Sequence, residues 1–204
     1  VLGMTTYEDL VAATLPTGQM PLVVPQLKTI TLGGAVTGLG IESSSFRNGT
    51  PHESVLEMDV LTGDGRVVTC SRSEASDLFY GFPNSYGTLG YALRLRIELE
   101  RTHPYVHLRH LRCFSVAEAA EVMRSHGEAR TADFVDGTWF ASSEVYVTLG
   151  TWADSAPLVS DYTGQDIYYR SIQRRSEDWL TVHDYLWRWD TDWFWCSRAF
   201  GVQN

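Results

Sequence analysis

Lysine is nearly absent from this sequence: Lys28 is the only one in 204 residues, and the net charge is −9. Without a basic surface there is nothing on which to lay a phosphate backbone, which argues against nucleic acid as a partner. Cysteine is also scarce. Cys70, Cys113 and Cys196 are odd in number, far apart and without a CxxC pair, which argues against both a disulfide framework and a zinc site and fits a reducing cytoplasm. No apolar run approaches the roughly 18 residues that span a bilayer, and the N-terminus lacks the basic, apolar, small-residue order of a signal peptide, although Val1 is not a start methionine. Internal repeats and low-complexity segments are missing too. What is there is 44% hydrophobic and 12% aromatic, enough to bury a core in one large domain or two small ones.

The chain alternates α and β signals and changes character near Arg101. TTYEDLVAATL predicts a helix, with Thr5 and Glu8 as its capping box, ending by Pro16. PLVV from Pro21 and KTITL from Lys28 predict short strands, the second running straight into Gly33 and Gly34. Val55 to Cys70 holds two alternating runs joined at Asp64-Gly65, a hairpin with a tight turn. EASDLFYGF predicts a short helix, followed by a second glycine loop, GTLG at Gly87 to Gly90. The strand after it alternates, with Leu93, Leu95, Ile97 and Leu99 expected inside and Arg94, Arg96, Glu98 and Glu100 outside. Thr102 to Pro104 makes a boundary. Beyond it come a strand, YVHLRHLRCF, a helix capped by Ser115 and Glu118, and two strands near Asp133 to Phe140 and Glu144 to Trp152. That order predicts an antiparallel sheet with a helix on one face, an α+β layer.

Glycines leaving a strand let backbone amides approach a ligand closely, which suits a pyrophosphate or a flat ring edge. Gly33, Gly34, Gly38 and Gly40 would supply that room and Ser43, Ser44 and Ser45 would add hydroxyl donors, but the same residues also fill ordinary loops. The run is not a GxGxxG opening onto a helix, which disfavours a Rossmann nicotinamide site, nor does it end in the GKS or GKT of a P-loop.

GGAVTGLGIESSSFRNG, then the GDG hairpin, then SEASDLFYGFPNSYGTLG resembles the FAD-binding domain of the vanillyl-alcohol oxidase (PCMH-type) superfamily, and most of all its Delta(24)-sterol reductase group. GIESSS, SDLFY and GTLG share that group's order and spacing, and a weaker similarity continues through VDGTWFASSEVYVTLG and YLWRWDTDWFW. The resemblance implies an α+β fold: the second subdomain of a PCMH-type FAD-binding domain over residues 1–102, then part of an α+β substrate cap over 103–204. Its flavin-contacting run corresponds to Thr31, Leu32, Gly33, Gly34, Ala35, Val36, Thr37, Gly38, Leu39, Gly40, Ile41, Glu42 and Ser43, with Gly87, Thr88 and Gly90 as the second contact. Family members start with a small subdomain whose loop holds the pyrophosphate and run on past this chain's end. The resemblance therefore implies a fragment whose flavin site is completed by missing parts of the same polypeptide or by another chain.

It further implies an enzyme that reduces an isolated carbon-carbon double bond of a lipid, either a sterol side chain or a methylene-branched fatty acyl chain, with FAD as cofactor and NADPH as reductant. An unconjugated alkene accepts hydride poorly, so protonation to a tertiary cation must precede or accompany hydride transfer, and a proton donor in an apolar pocket is needed. Glu42 is the first candidate, against a plainer role as an acceptor for ribityl hydroxyls or backbone amides; His183 and Tyr185 follow, against a plainer role as sheet residues. An FAD-dependent oxidase of an alcohol or sugar and a non-catalytic binding module remain as alternatives. Of His103, His107 and His110, the last two are three apart on the predicted strand and so point to opposite faces, and all three are expected at the surface rather than on a metal. Trp187, Trp189, Trp193 and Trp195, evenly spaced, would share one side of an extended strand, as a lipid pocket or core, or as a peripheral membrane contact. Arg174 and Arg175 read as a solvated pair, the alternative being an acidic head group or an NADPH phosphate.

Overall fold

The computed structural model describes residues 1–162 and 167–190. The chain divides into two compact units, Val1–Arg101 and a second from Thr102 onward. Both are mixed α and β with antiparallel sheets, the α+β class that the element order implies.

In the first unit α1 spans Tyr7–Thr14. Its cap is Thr6, whose hydroxyl accepts the Asp9 N–H, one residue later than the Thr5–Glu8 box, because the Thr5 carbonyl takes the Leu32 N–H instead. Strand β1, Gln19–Pro21, pairs with β5, Leu99–Arg101. Neither Val23–Val24 nor Lys28–Leu32 continues as a strand. Thr31 makes a single bridge to Thr6, and its partner chain turns helical at Tyr7, so no ladder can extend. The glycine run thus opens directly into α2, Leu32–Gly38, contrary to a glycine turn leaving a strand; α3, Ser45–Asn48, follows.

Three strands form the central sheet of this unit, β2 (Val55–Leu61), β3 (Val67–Ser71) and β4 (Tyr91–Ile97), in the order β3-β2-β4. The β2–β3 hairpin forms as expected, but its loop is longer than a two-residue turn. Thr62 and Arg66 close it, and only Gly65, at φ 83°, takes the left-handed conformation, while the Asp64 carboxylate accepts the Thr62 hydroxyl. Helix α4, Ser76–Gly81, matches the SDLFY signal and buries Phe79. Alternation along β4 fails at Leu93, which is 40% exposed while Leu95 is 1% exposed. The pairing shifts between Asp59↔Arg94 and Val60↔Ala92, a bulge that makes Leu93 the extra residue. On the other edge of β4 the N-terminal residues Val1 and Gly3 exchange backbone hydrogen bonds with Leu95 and Leu93, covering what would be an open strand. Cys70 on β3 is fully buried.

The second unit is a four-stranded antiparallel sheet in the order β7-β8-β6-β9, from β6 (Tyr105–Cys113), β7 (Phe134–Ala141), β8 (Glu144–Ala153) and β9 (Glu177–Thr181). Helix α5, Val116–Ala129, is capped as its sequence predicts: Ser115 Oγ accepts the Glu118 N–H, and Glu118 reaches back to the Phe114 N–H. It covers one sheet face by packing Ala119 on Cys113, Val135, Val145, Val147 and Leu149. The other face receives α6 (Tyr168–Ile172) and α7 (Val182–Trp187), whose Tyr168, Ile172, Tyr185 and Trp187 are 0–1% exposed. Trp187 therefore belongs to a helix rather than to an extended tryptophan stripe. Trp189 meets Tyr168 edge-on in the turn that follows, and Trp193 and Trp195 lie outside the described residues. Strand β9 alternates in burial, but Asp178 takes an inward position beside Leu180, so its sequence shows no apolar alternation.

Candidate functional site

Helix α2 is a poor helix on its own terms, seven residues with glycine at 33, 34 and 38. Its start is held by the protein. The Leu32 N–H goes to the Thr5 carbonyl, the Gly33 N–H to the Gly3 carbonyl, and the Gly34 N–H to Thr31 Oγ1. The amides expected to reach a ligand at Gly33 and Gly34 are thus already engaged. Gly33 serves a close approach instead, since a Cβ there would sit 2.9 Å from the Gly3 carbonyl oxygen. Leu32, Gly33, Ala35 and Val36 all face the interior, and Thr37 turns its hydroxyl back onto the Gly33 and Gly34 carbonyls.

Beyond α2 the run changes character. Added Cβ atoms at Gly38 and Gly40 would meet nothing within 4 Å. Leu39, between them, sits at φ 58° with its side chain exposed, and Ile41 is 84% exposed. A backbone ridge without side chains at two positions, flanked by bare apolar groups, fits the edge of a flat aromatic ring. Of the serines expected to add donors, Ser44 is buried and donates to the Leu22 carbonyl, and Ser45 Oγ accepts the Glu42 N–H. These two fix the turn.

The structure brings the second glycine loop against this ridge. Asn84, Tyr86, Gly87 and Gly90 all have positive φ. The Tyr86 N–H donates to the Thr37 carbonyl and its phenol to the Gly38 carbonyl, both at 3.2 Å. Gly90 is buried against β2, where a Cβ would lie 2.2 Å from the Leu61 carbonyl oxygen, whereas Gly87 faces open space and Thr88 is exposed, its hydroxyl donating to the Ser85 carbonyl. Ser85 Oγ is buried without a hydrogen-bond partner, an orphaned group at the base of the loop. Sequence reasoning passed over Ser85 and Tyr86. Their signal was the NSYG turn chemistry just before GTLG.

The three candidate proton donors belong to different units, Glu42 to the first and His183 and Tyr185 to the second, and each has its own setting. Glu42 Oε1 accepts the Gln26 N–H at 3.1 Å, and its charge, second to burial, helps to push the Tyr7 phenol far above its ordinary pKa. It behaves as an anchor of the turn. His183 and Tyr185 lie on α7, not on a sheet. His183 is exposed beside Asp184, while Tyr185 is 1% exposed with its ring centroid 3.9 Å from the Arg188 guanidinium. Arg188 is itself buried and pairs with Asp136 at 3.0 Å; burial holds the Asp136 carboxyl above its usual range, the nearby guanidinium offsetting this in part. His107 and His110 do fall on opposite faces of β6, and no metal-binding group of side chains occurs among the described residues. His110, however, is buried rather than at the surface. Its Nδ1 meets Thr148 Oγ1, and burial lowers its pKa to about 4. Arg175 pairs with Asp178. Two cavities of about 360 and 300 Å³ in the first unit are lined by residues other than Gly38–Ser43 and Gly87–Gly90.

Comparison with known proteins bears on the same stretch. A family profile described as an FAD binding domain matches residues 3–71. The human Delta(24)-sterol reductase is 32% identical over 134 residues, and the rat protein of that name 33% over 132. Cytokinin dehydrogenase 7 of Oryza sativa subsp. japonica is 40% identical over 97 residues. These matches cover 66%, 65% and 48% of this chain. They span only 26%, 26% and 18% of the relatives' own lengths.

Proposed function

We infer, from a chain that belongs to the PCMH-type FAD-linked oxidoreductases, that the protein carrying it reduces an isolated carbon-carbon double bond of a lipid with NADPH as electron donor. The observation that supports this choice is the length of the match. The first unit, Val1–Arg101, is shorter than the 134 residues aligned with human Delta(24)-sterol reductase, so that likeness extends into the second unit, whereas the 97 residues shared with cytokinin dehydrogenase 7 do not require it. In this reading the second unit belongs to a substrate cap.

When bound, the flavin supplies a hydride. The residues of this chain position and shelter it. The open ridge at Gly38–Gly40 would receive the ring, with the loop of Gly87, Thr88 and Gly90 tied to it through Tyr86. Exposed Leu39, Ile41 and Leu89 present apolar surface that would exclude water from a lipid alkene. Glu42 holds the turn by accepting the Gln26 N–H. The remaining positions of the flavin run, Thr31 to Val36, form the cap and turns of α2 that lead into the ridge.

The test is an anaerobic titration of the intact protein. NADPH should bleach the bound flavin, and a sterol or methylene-branched fatty acyl alkene should restore its colour, with product mass raised by two hydrogens. Rapid reoxidation by oxygen with no effect of alkene would instead support an oxidase; the 40% identity to cytokinin dehydrogenase 7 favours this second reading, substrate oxidation, over alkene reduction. Protein that stays colourless with added FAD would exclude both.

A further inference from the structure

We propose that Tyr86 is the positioning residue that sets the flavin ridge, tying its two glycine segments together from outside α2; this rests on the flavin reading above. The last carbonyls of any helix lack intrahelical partners, and a helix with glycine at 33, 34 and 38 has little intrinsic tendency to hold its final turn. Tyr86 supplies what is missing. Its N–H caps the Thr37 carbonyl and its phenol caps the Gly38 carbonyl, although it lies 48 residues from Gly38 in sequence. No local cap replaces it, because the chain leaves α2 through Leu39 at φ 58° and ψ 165°, turning away from the helix axis.

Tyr86 is held in a conformation that a tyrosine rarely adopts, φ 48°, between Asn84 at 59° and Gly87 at 81°. Glycine would occupy that backbone more easily, as it does next door at Gly87. The side chain therefore has a use that outweighs the strain. It is not buried packing, since Tyr86 is 73% exposed. The remaining use is the phenol–Gly38 bond, which fixes the height of the Gly38–Gly40 ridge relative to the Gly87–Gly90 loop. The ring is left standing at the edge of the surface where Leu39 and Leu89 are also bare.

Two variants separate this role from a merely structural one. Tyr86→Phe removes the phenol bond alone, and Tyr86→Gly removes it while relieving the backbone. In the intact protein both should raise the FAD Kd by about three- to tenfold, the worth of one hydrogen bond. Both should also blur the fine structure of the visible flavin band, and Tyr86→Gly should melt, as apoprotein, no lower than wild type. Wild-type affinity and spectrum in both variants would overturn the proposal. So would a fall in melting temperature with the spectrum unchanged, which would mark the bond as a tie of the fold only. Wild-type protein that takes up no FAD would overturn the flavin reading itself, and this one with it.

Discussion

Arg188 illustrates how much one side chain can be asked to hold. Its guanidinium is buried over the Tyr185 ring, donates to Asp136 and to the Tyr185 carbonyl, and leaves Nε without a partner. Replacing it by methionine keeps the bulk but leaves the Asp136 carboxylate buried without its cation, so Arg188→Met should cost about 3–5 kcal/mol in urea denaturation. Adding Asp136→Leu should recover most of that loss. Two glycines make the opposite comparison. Gly90→Ala would drive a methyl into the Leu61 carbonyl at a φ of 132°, and a strained backbone alone costs about 1–3 kcal/mol, so it should destabilise the first unit clearly. Gly38→Ala meets nothing, and at a helix end should be neutral or stabilising by up to about 1 kcal/mol. Its expected effect is on the ligand: FAD titration should show weaker binding with a melting temperature no lower than wild type, because the methyl would occupy the ridge.

At the scale of elements, the strongest local signals formed where they were read. The Ser115 cap, the hairpin about Gly65 and the SDLFY helix each depend on neighbours within a few residues, which sequence displays directly. Failures came where a distant segment decided the matter. Lys28–Leu32 has the β-branched residues of a strand, but its partner turns helical at Tyr7; Leu93 follows the alternation, but a bulge against β2 turns it outward. The glycine run reads in sequence as a turn and not as a helix, because α2 is held by Thr5, Gly3 and Tyr86, none of which adjoins it in sequence. The local support at its start is the Thr31 cap. Thr31→Ala should therefore lower stability by about 1 kcal/mol, measured by thermal melting, and loosen the start of α2 rather than the ridge.

Across the whole molecule, acid should find the second unit through His110. Its folded pKa, about 4, lies below the ordinary 6.5, so the unfolded chain takes up the proton first. Stability from keeping this histidine neutral is complete above about pH 6.5 and is lost as pH falls toward 4, by roughly 3 kcal/mol. Asp136, pushed upward by burial, titrates in the opposite sense, so the informative quantity is a difference. His110→Gln, which can still meet Thr148, should flatten the denaturation midpoint between pH 6.5 and 4 relative to wild type.

The buried thiols of the two sheets have a further consequence. Cys70 on β3 and Cys113 on β6 are 0% and 1% exposed; burial, with Asp59 and Glu74 adding to it, pushes the first up to about 11, and burial with Glu118 raises the second. A thiolate is the species that alkylating reagents attack, so neither sulfur reacts while its sheet stays closed. Each unit thus carries its own internal clock: the rate at which a reagent marks Cys70 or Cys113 reports how often that sheet opens, read separately from the mass of two different peptides.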